Sequence, residues 1–449
     1  MKTYNRIAIA GLFFATVQVV AQELPETSQT QELPETLQIE DAVHLTLENN
    51  FNILIARNNE AVSGNDATLG NAGYLPTISI NGNYNYSEAD TRVEFAAPGQ
   101  PPIDANGAGT TTYGAGVTLN YTIYSGGGRL YTYRKLKKAE ERGQLQERQA
   151  VEQSVLGVLT QYLNAVSLYD AYQNTLESVT ISQDRYTRAK EGYGFGNFTR
   201  LELLNAEVDL SNDSTSLFQA KLSYEKARKN LSNAMGIDPS ASYDVSGTFD
   251  YARNLDVDEL LRKALEQNTD YLLARNAVES SELDLKLSGA DMLPRLDLSG
   301  GYSYSKAVYD ANFLRSSESL GWNAGVTLSM DIFGGGVKNR ARKNARIQKE
   351  SQEYNRQQSE NTLKTNVLNS YEDYNIALQL LELRVKNLEL AEASYERSSI
   401  AFSTGQITGI ELREAQLNLV NARFNLSAQR IQAKLAELTL LNYAGALVE

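Results

Sequence analysis

The chain has 449 residues, with 42 Lys and Arg against 55 Asp and Glu, one His, no Cys, 8 Pro and a mean hydropathy of -0.40. Without cysteine there is no disulfide framework, thiolate metal site, cysteine nucleophile or lipid-bearing cysteine, and His44 alone gives little from which to build a histidine metal site or a serine-type triad. A formal net charge of -13 argues against a nucleic-acid partner, because phosphate binding needs clustered cations, and nothing in the composition points to an enzyme, a cofactor or a resident metal.

Residues 1–21 read as a secretory signal: Lys2 and Arg6, an apolar stretch over 7–20, and Val19-Val20-Ala21 as a small-residue cleavage site. Residues 22–38 follow as an N-terminal extended segment carrying a short duplication, Gln22-Glu23-Leu24-Pro25-Glu26-Thr27 and again at 31–36. A first repeat spans 39–236. It opens with a helical pattern that holds His44 as a surface or packing residue and ends at Leu75-Pro76. A β-hairpin over 76–124 comes next. Its first strand sets Ile78, Ile80, Tyr84 and Tyr86 against Ser79, Asn81, Asn83 and Asn85, and its second sets Tyr113, Val117, Leu119 and Tyr121 against Gly114, Gly116, Thr118 and Asn120. After Gly126-Gly127-Gly128, a proline-free stretch predicts a helix over about 129–191, roughly 60 residues and on the order of 90 Å. A glycine-containing turn at 192–199 and another helix complete the repeat.

An inter-repeat segment, 237–256, leads to a second repeat over 257–445 with the same order of parts: helix, Leu293-Pro294, β-hairpin 294–333, Gly334-Gly335-Gly336, long helix, turn 403–409, helix. Residues 446–449 form a C-terminal tail. Between the Leu-Pro break and the turn, the first copy is about nine residues longer, and the surplus is expected in the hairpin loop around 98–109. Apolar residues in the helices recur at steps of three and four, as in Leu417, Val420, Phe424, Ile431, Leu435 and Leu438, and in Leu381, Leu388, Ala391, Tyr395 and Phe402; this is the rhythm of coiled-coil seams.

The polar faces of the four strands are Ser, Thr, Asn and Gly with almost no Lys or Glu, while the apolar faces carry Tyr84, Tyr86, Tyr121, Tyr302, Tyr304 and Trp322 near their ends, as membrane-interface girdles do. Expected strand lengths of about 10 to 13 residues suit a tilted crossing of a bilayer. No segment after the signal has the roughly 20 apolar residues of a spanning helix. Four strands cannot close a barrel, and an open edge is not tolerated in lipid, so the barrel has to be shared between chains: two copies would nearly fill it, and three would leave a duct.

The ordered repetition of helix, Leu-Pro, hairpin, Tyr124-Ser125-Gly126-Gly127-Gly128 or Phe333-Gly334-Gly335-Gly336, long helix and turn resembles the outer membrane efflux proteins of the TolC type. The turns carrying the likeness are 195–203 and 404–412. The resemblance implies an α+β membrane protein: a homotrimer whose 12-stranded β-barrel, four strands per chain, sits in the outer membrane lipid and continues into a long α-helical coiled-coil barrel in the periplasm. It also implies a periplasmic adaptor and an inner-membrane pump as partners. Glu411 and Glu414, with Glu202 as the first-repeat counterpart of Glu411, match the acidic residues that narrow the tapered end. Crowded there by threefold symmetry, some of these carboxyls are expected to titrate high. The family's latching cation falls on Ile407, leaving Arg200 and Arg413 as the nearest substitutes. The tip turns over about 193–203 and 402–412 are the expected adaptor-docking surface, with Gly196, Thr199, Leu201, Gly405, Thr408 and Ile410 as its named residues. The chain stops four residues after Gly445, so 237–254 is expected to supply most of the mid-tunnel belt. Two other classes stay open: a secreted coiled-coil structural or adhesive protein, and a constitutive diffusion porin. The Gly192–Gly196 run is not a phosphate loop, because no strand precedes it and the second copy lacks it.

Overall fold

A computed structural model describes residues 34–94, 96, 98–310 and 314–447. The expected signal and most of the 22–38 segment therefore lie outside the described residues. The elements in chain order are β1 (Thr36–Leu37), α1 (Ile39–Asn49), α2 (Phe51–Asp66), β2 (Thr77–Val93), β3 (Ile103–Ser125), α3 (Gly128–Gly194), α4 (Arg200–Met235), β4 (Asp244–Val245), α5 (Val257–Gln267), α6 (Thr269–Ala290), β5 (Arg295–Tyr309), β6 (Ser316–Ser329), α7 (Val337–Ser403) and α8 (Gly409–Ala444).

The duplication is carried into helix length. α3 and α7 each have 67 residues, and α4 and α8 each have 36. At about 1.5 Å per residue the two long helices run about 100 Å. Both begin on a left-handed glycine, Gly127 at φ 85° and Gly336 at φ 73°, which turns the chain out of the sheet. Both shorter helices end on one, Gly236 at φ 78° and Gly445 at φ 74°. The joints behind those glycines are duplicated too. Asn50 caps α2 and donates to Ala234 O at 2.7 Å; Asn268 caps α6 and donates to Tyr443 O at 3.3 Å.

Burial is concentrated in the middle of the rod. One cluster joins Val155, Leu159, Tyr162 and Leu163 of α3 to Leu231 and Met235 of α4 and to the inter-repeat segment through Tyr243 and Val245. A second joins Leu260 and Ala264 of α5 to Val367 and Tyr374 of α7 and Leu440 of α8. The segment 22–38 is not wholly a free lead-in: Thr36 and Leu37 pair in parallel with Asp244 and Val245, and Leu37 is fully buried. The Tyr162 hydroxyl donates to Leu37 O at 2.9 Å, and burial pushes this phenol up to about 12. Tyr374 donates to Ala252 O at 2.7 Å, fastening the inter-repeat segment from the other repeat.

The four long strands form one antiparallel sheet in the order β2-β3-β5-β6, so the two hairpins lie side by side and join through β3 and β5. Among the described residues, the outer edges of β2 and β6 have no partner strand. Two expectations are corrected. The strands have 17, 23, 15 and 14 residues, longer than about 10 to 13. The surplus of the first hairpin is also not all loop: Ile103, Asp104 and Ala105 pair with Val93, Arg92 and Thr91, past a register shift between Ala89 and Thr91. These positions lack alternation because backbone pairing in a projecting ribbon needs no apolar face, so periodicity does not reveal them.

Candidate functional site: the sheet face and the helical tips

The register decides which side chains share a face. One row across the sheet reads Ile80, Val117, Tyr302, Trp322; the next reads Gly82, Ala115, Tyr304, Leu320; and toward the helices come Ile78, Leu119, Gly300, Ala324 and then Tyr121, Leu298, Val326. The expected girdle residues Tyr84, Tyr86, Tyr121, Tyr302, Tyr304 and Trp322 thus fall on one face, and Trp322 is 78% exposed in the single chain. A register shift between Thr122 and Tyr124 sets Tyr124 opposite Leu296 on this same face. Outward of Tyr304 the apolar band stops at a row holding Tyr84, Tyr113, Lys306 and Glu318, the last two ion-paired at 3.6 Å. From Leu296 to Tyr304 the strand climbs about 27 Å, or about 20 Å once tilted by about 40°, close to the roughly 25 Å apolar band of membrane barrels. The opposite face is stitched by hydroxyls and amides, with Ser79 and Thr118 at 2.7 Å and Thr122 donating to Asp297 at 2.7 Å.

At the far end of the rods, both turns are built alike. Gly196 at φ 76° and Gly405 at φ 73° reverse the chain, and a Cβ on either would meet nothing within 4 Å. Thr199 caps α4 and Thr408 caps α8, each in a reciprocal box with the acid three residues on. Glu202 accepts from Thr199 N at 2.6 Å and from its hydroxyl at 2.9 Å; Glu411 accepts from Thr408 N at 2.7 Å and from its hydroxyl at 2.8 Å. The backbone N–H bond, reinforced by the hydroxyl, holds both carboxyls below the usual range in the single chain. Glu414 lies one turn beyond Glu411, exposed and outside the box. Glu202, Glu411 and Glu414 make no ion pair among the described residues.

Leu201 and Ile410 stand exposed at the tips, Ile410 at 74%, and Phe195, in the first of the two turns, is 82% exposed. Sequence reasoning missed a charge network just above. Arg413 of α8 grips Asp213 of α4 with two bonds of 2.8 Å, lies 3.9 Å from Asp209 and donates to Ser182 of α3. The Arg413 and Asp213 side chains are only 15% and 13% exposed. Burial pushes the Asp213 carboxyl up, but the bonds from Arg413 and Ser182 outweigh it and leave it below the ordinary range. Arg185 of α3 pairs with Asp209 at 3.2 Å and donates to Gly409 O at 3.4 Å. Arg413 is therefore committed inside its own chain, tying the second-repeat hairpin to the first. The visible signal was Asp209 and Asp213 one helical turn apart, with no cation on their own helix close enough to claim them.

Two duplicated helical hairpins hung from one two-faced sheet define a class of membrane channel, and comparison with known proteins gives the family. The model of the outer membrane efflux protein family matches residues 42–237 and 260–446, leaving out the N-terminal stretch and the inter-repeat segment, and the chain belongs to that family. It is 21% identical over 390 residues to outer membrane protein TolC of Escherichia coli K12, covering 84% of this chain and 75% of that one. It is 21% identical over 420 residues to the alkaline protease secretion protein AprF of Pseudomonas aeruginosa, covering 91% of this chain and 84% of that one. Among solved structures, the CmeC outer membrane channel of Campylobacter jejuni superposes with a TM-score of 0.75 at 18% identity, covering 92% of this chain and 86% of that one.

Proposed function

We propose that this chain is the outer membrane exit duct of an efflux or secretion system, in which three copies close a twelve-stranded barrel and a tapering helical tunnel that reaches through the periplasm. The observation that carries the reading is a sheet with an exposed apolar band on one face and two unpaired edges, running straight into helices too long for any globular core. Such edges are tolerable in lipid only when copies of the chain supply the missing partners. The helices support the same closure. Exposed apolar residues run along α4 at Leu204, Val208, Phe218 and Leu222 and along α7 at Ile376, Leu380, Leu383 and Leu390, at seam spacing and without a partner in the single chain.

In this reading the tunnel is passive, and no chemistry is performed on the cargo. The tips meet a periplasmic adaptor through Leu201, Ile410 and Phe195, with Gly196 and Gly405 allowing close approach and an inner-membrane pump driving export. Glu414 and the two capping acids, repeated by symmetry, make the narrow end attractive to cations. Single-channel recording from the detergent-purified protein in a planar bilayer tests this. A small, cation-selective conductance that rises in Glu411→Gln with Glu414→Gln supports the gated duct. Glutamine is the right replacement because its carbonyl oxygen can still accept the Thr408 bonds, whereas alanine would also break the cap. Unchanged conductance in the variant counts against the gate. A chain that stays soluble without detergent and never inserts returns the protein to the secreted coiled-coil class.

A further inference from the structure

The first turns of α7 stand out against an acidic chain. Residues 337–349 hold Lys338, Arg340, Arg342, Lys343, Arg346 and Lys349 without one Asp or Glu. Lys338 pairs with Asp331 at 2.9 Å and Lys349 with Glu282 at 3.1 Å, and Arg340 donates to Gly335 O at 3.0 Å. Arg342, Lys343 and Arg346 are exposed and meet no carboxylate among the described residues; Arg134, in the corresponding turn of α3, is likewise exposed and unpaired. These cations begin where the apolar sheet face ends. Ile332 and Phe333 are 93% and 87% exposed, and the α7 cations start five residues after Phe333. The boundary carries its own interfacial residues, with the Arg129 guanidinium over the rings of Tyr74 and Tyr121 at 4.9 and 5.5 Å.

From this layering we propose that the start of α7, with Arg134 of α3, forms a belt that binds the phosphates of anionic phospholipid headgroups in the periplasmic leaflet. The inference rests on the membrane reading above and adds to it a lipid class. The depths agree. From its start to Arg346, α7 descends about 14 Å. The headgroup layer is about 5 to 8 Å deep, so the upper cations lie within it and Arg346 within about a Debye length below. A Lys or Arg held at such a surface raises anionic-lipid affinity about fivefold.

The test uses the full-length protein reconstituted in phosphatidylcholine vesicles, with electron spin resonance of spin-labelled phosphatidylglycerol against spin-labelled phosphatidylcholine. The expected result is a preference for phosphatidylglycerol of about fivefold or more at low salt, falling toward one in about 0.5 M salt and in the triple variant Arg342→Gln, Lys343→Gln, Arg346→Gln. Conductance of that variant should match the parent and shows that it folds and inserts. A conducting parent without the preference overturns the proposal, as does a preference that survives in the triple variant. If inorganic phosphate erases the preference where chloride of equal ionic strength does not, the belt is a free-anion site and the lipid assignment fails. If the variant instead dissociates into single chains with its lipid preference intact, the cations serve a neighbouring copy and the proposal fails. Absence of any insertion would sink the duct reading itself, an outcome distinct from all of these.

Discussion

At the scale of single residues, the proposed gate acid already has a structural task. Glu411 completes a capping box and also stands at the position matched to a gate, so its conformational role and its charge have to be separated experimentally. Thr408→Ala removes the hydroxyl that accepts from Glu411 N and should cost about 1 kcal/mol locally, read as faster amide exchange over 408–414 with the mid-rod helices unchanged. The pH dependence follows from the depressed carboxyls. A group whose folded pKa lies below its unfolded value adds stability that is present above the unfolded value and lost as pH falls through the folded one. Both tips should therefore loosen as pH drops below the ordinary 4.5 of Glu202 and Glu411, and their Gln variants should not respond in that window. Arg413 and Asp213 act differently, since both are largely buried. Asp213→Ala removes both short bonds from a largely buried guanidinium, leaving it only the more distant Asp209 as counter-charge, and should cost about 2 kcal/mol or more. The double replacement with Arg413→Met should recover part of that loss, measured as a thermal-unfolding double-mutant cycle.

Elements bring the glycines and the strands into view. Gly236 sits at φ 78° with Asn49 O only 2.3 Å from where a Cβ would be, whereas Gly196, at φ 76°, has open space around it. Gly236→Ala should cost about 2 to 4 kcal/mol and Gly196→Ala about 1 kcal/mol, compared by midpoint in denaturant titrations followed by helical circular dichroism. On the sheet, Val326 belongs to the apolar face and its neighbour Thr327, opposite Asp297, to the polar one. Val326→Arg should cost about 2 to 4 kcal/mol of bilayer assembly, while Thr327→Arg should leave the folded fraction in vesicles nearly unchanged. The alternation that licenses this prediction was legible along every strand. What could not be read was how far pairing runs beyond the lipid-matched rows, because Ile103 to Ala105 are held by backbone bonds that any residue can make.

For the whole molecule, the single chain is an incomplete object: an open sheet, two unpartnered helical seams and cations without counter-ions. Light scattering of the detergent complex should return a protein mass of three chains, and a mass of one chain would leave the exposed apolar face without the barrel that makes sense of it. The amino-acid sequence by itself determined the duplication, the two hairpins, the helix-turn-helix pairs and the two-faced strands, because each depends on local periodicity and on where proline and glycine fall. Only the tertiary structure decided that β3 joins β5, that Leu37 is stitched into the inter-repeat segment, that Thr199 and Thr408 are engaged as caps, and that Arg413 is bound to Asp213 within its own chain. Those are relations between segments as far as 208 residues apart, and side-chain geometry around a single turn. They depend on which faces the long helices present to one another, and no spacing along the chain records that.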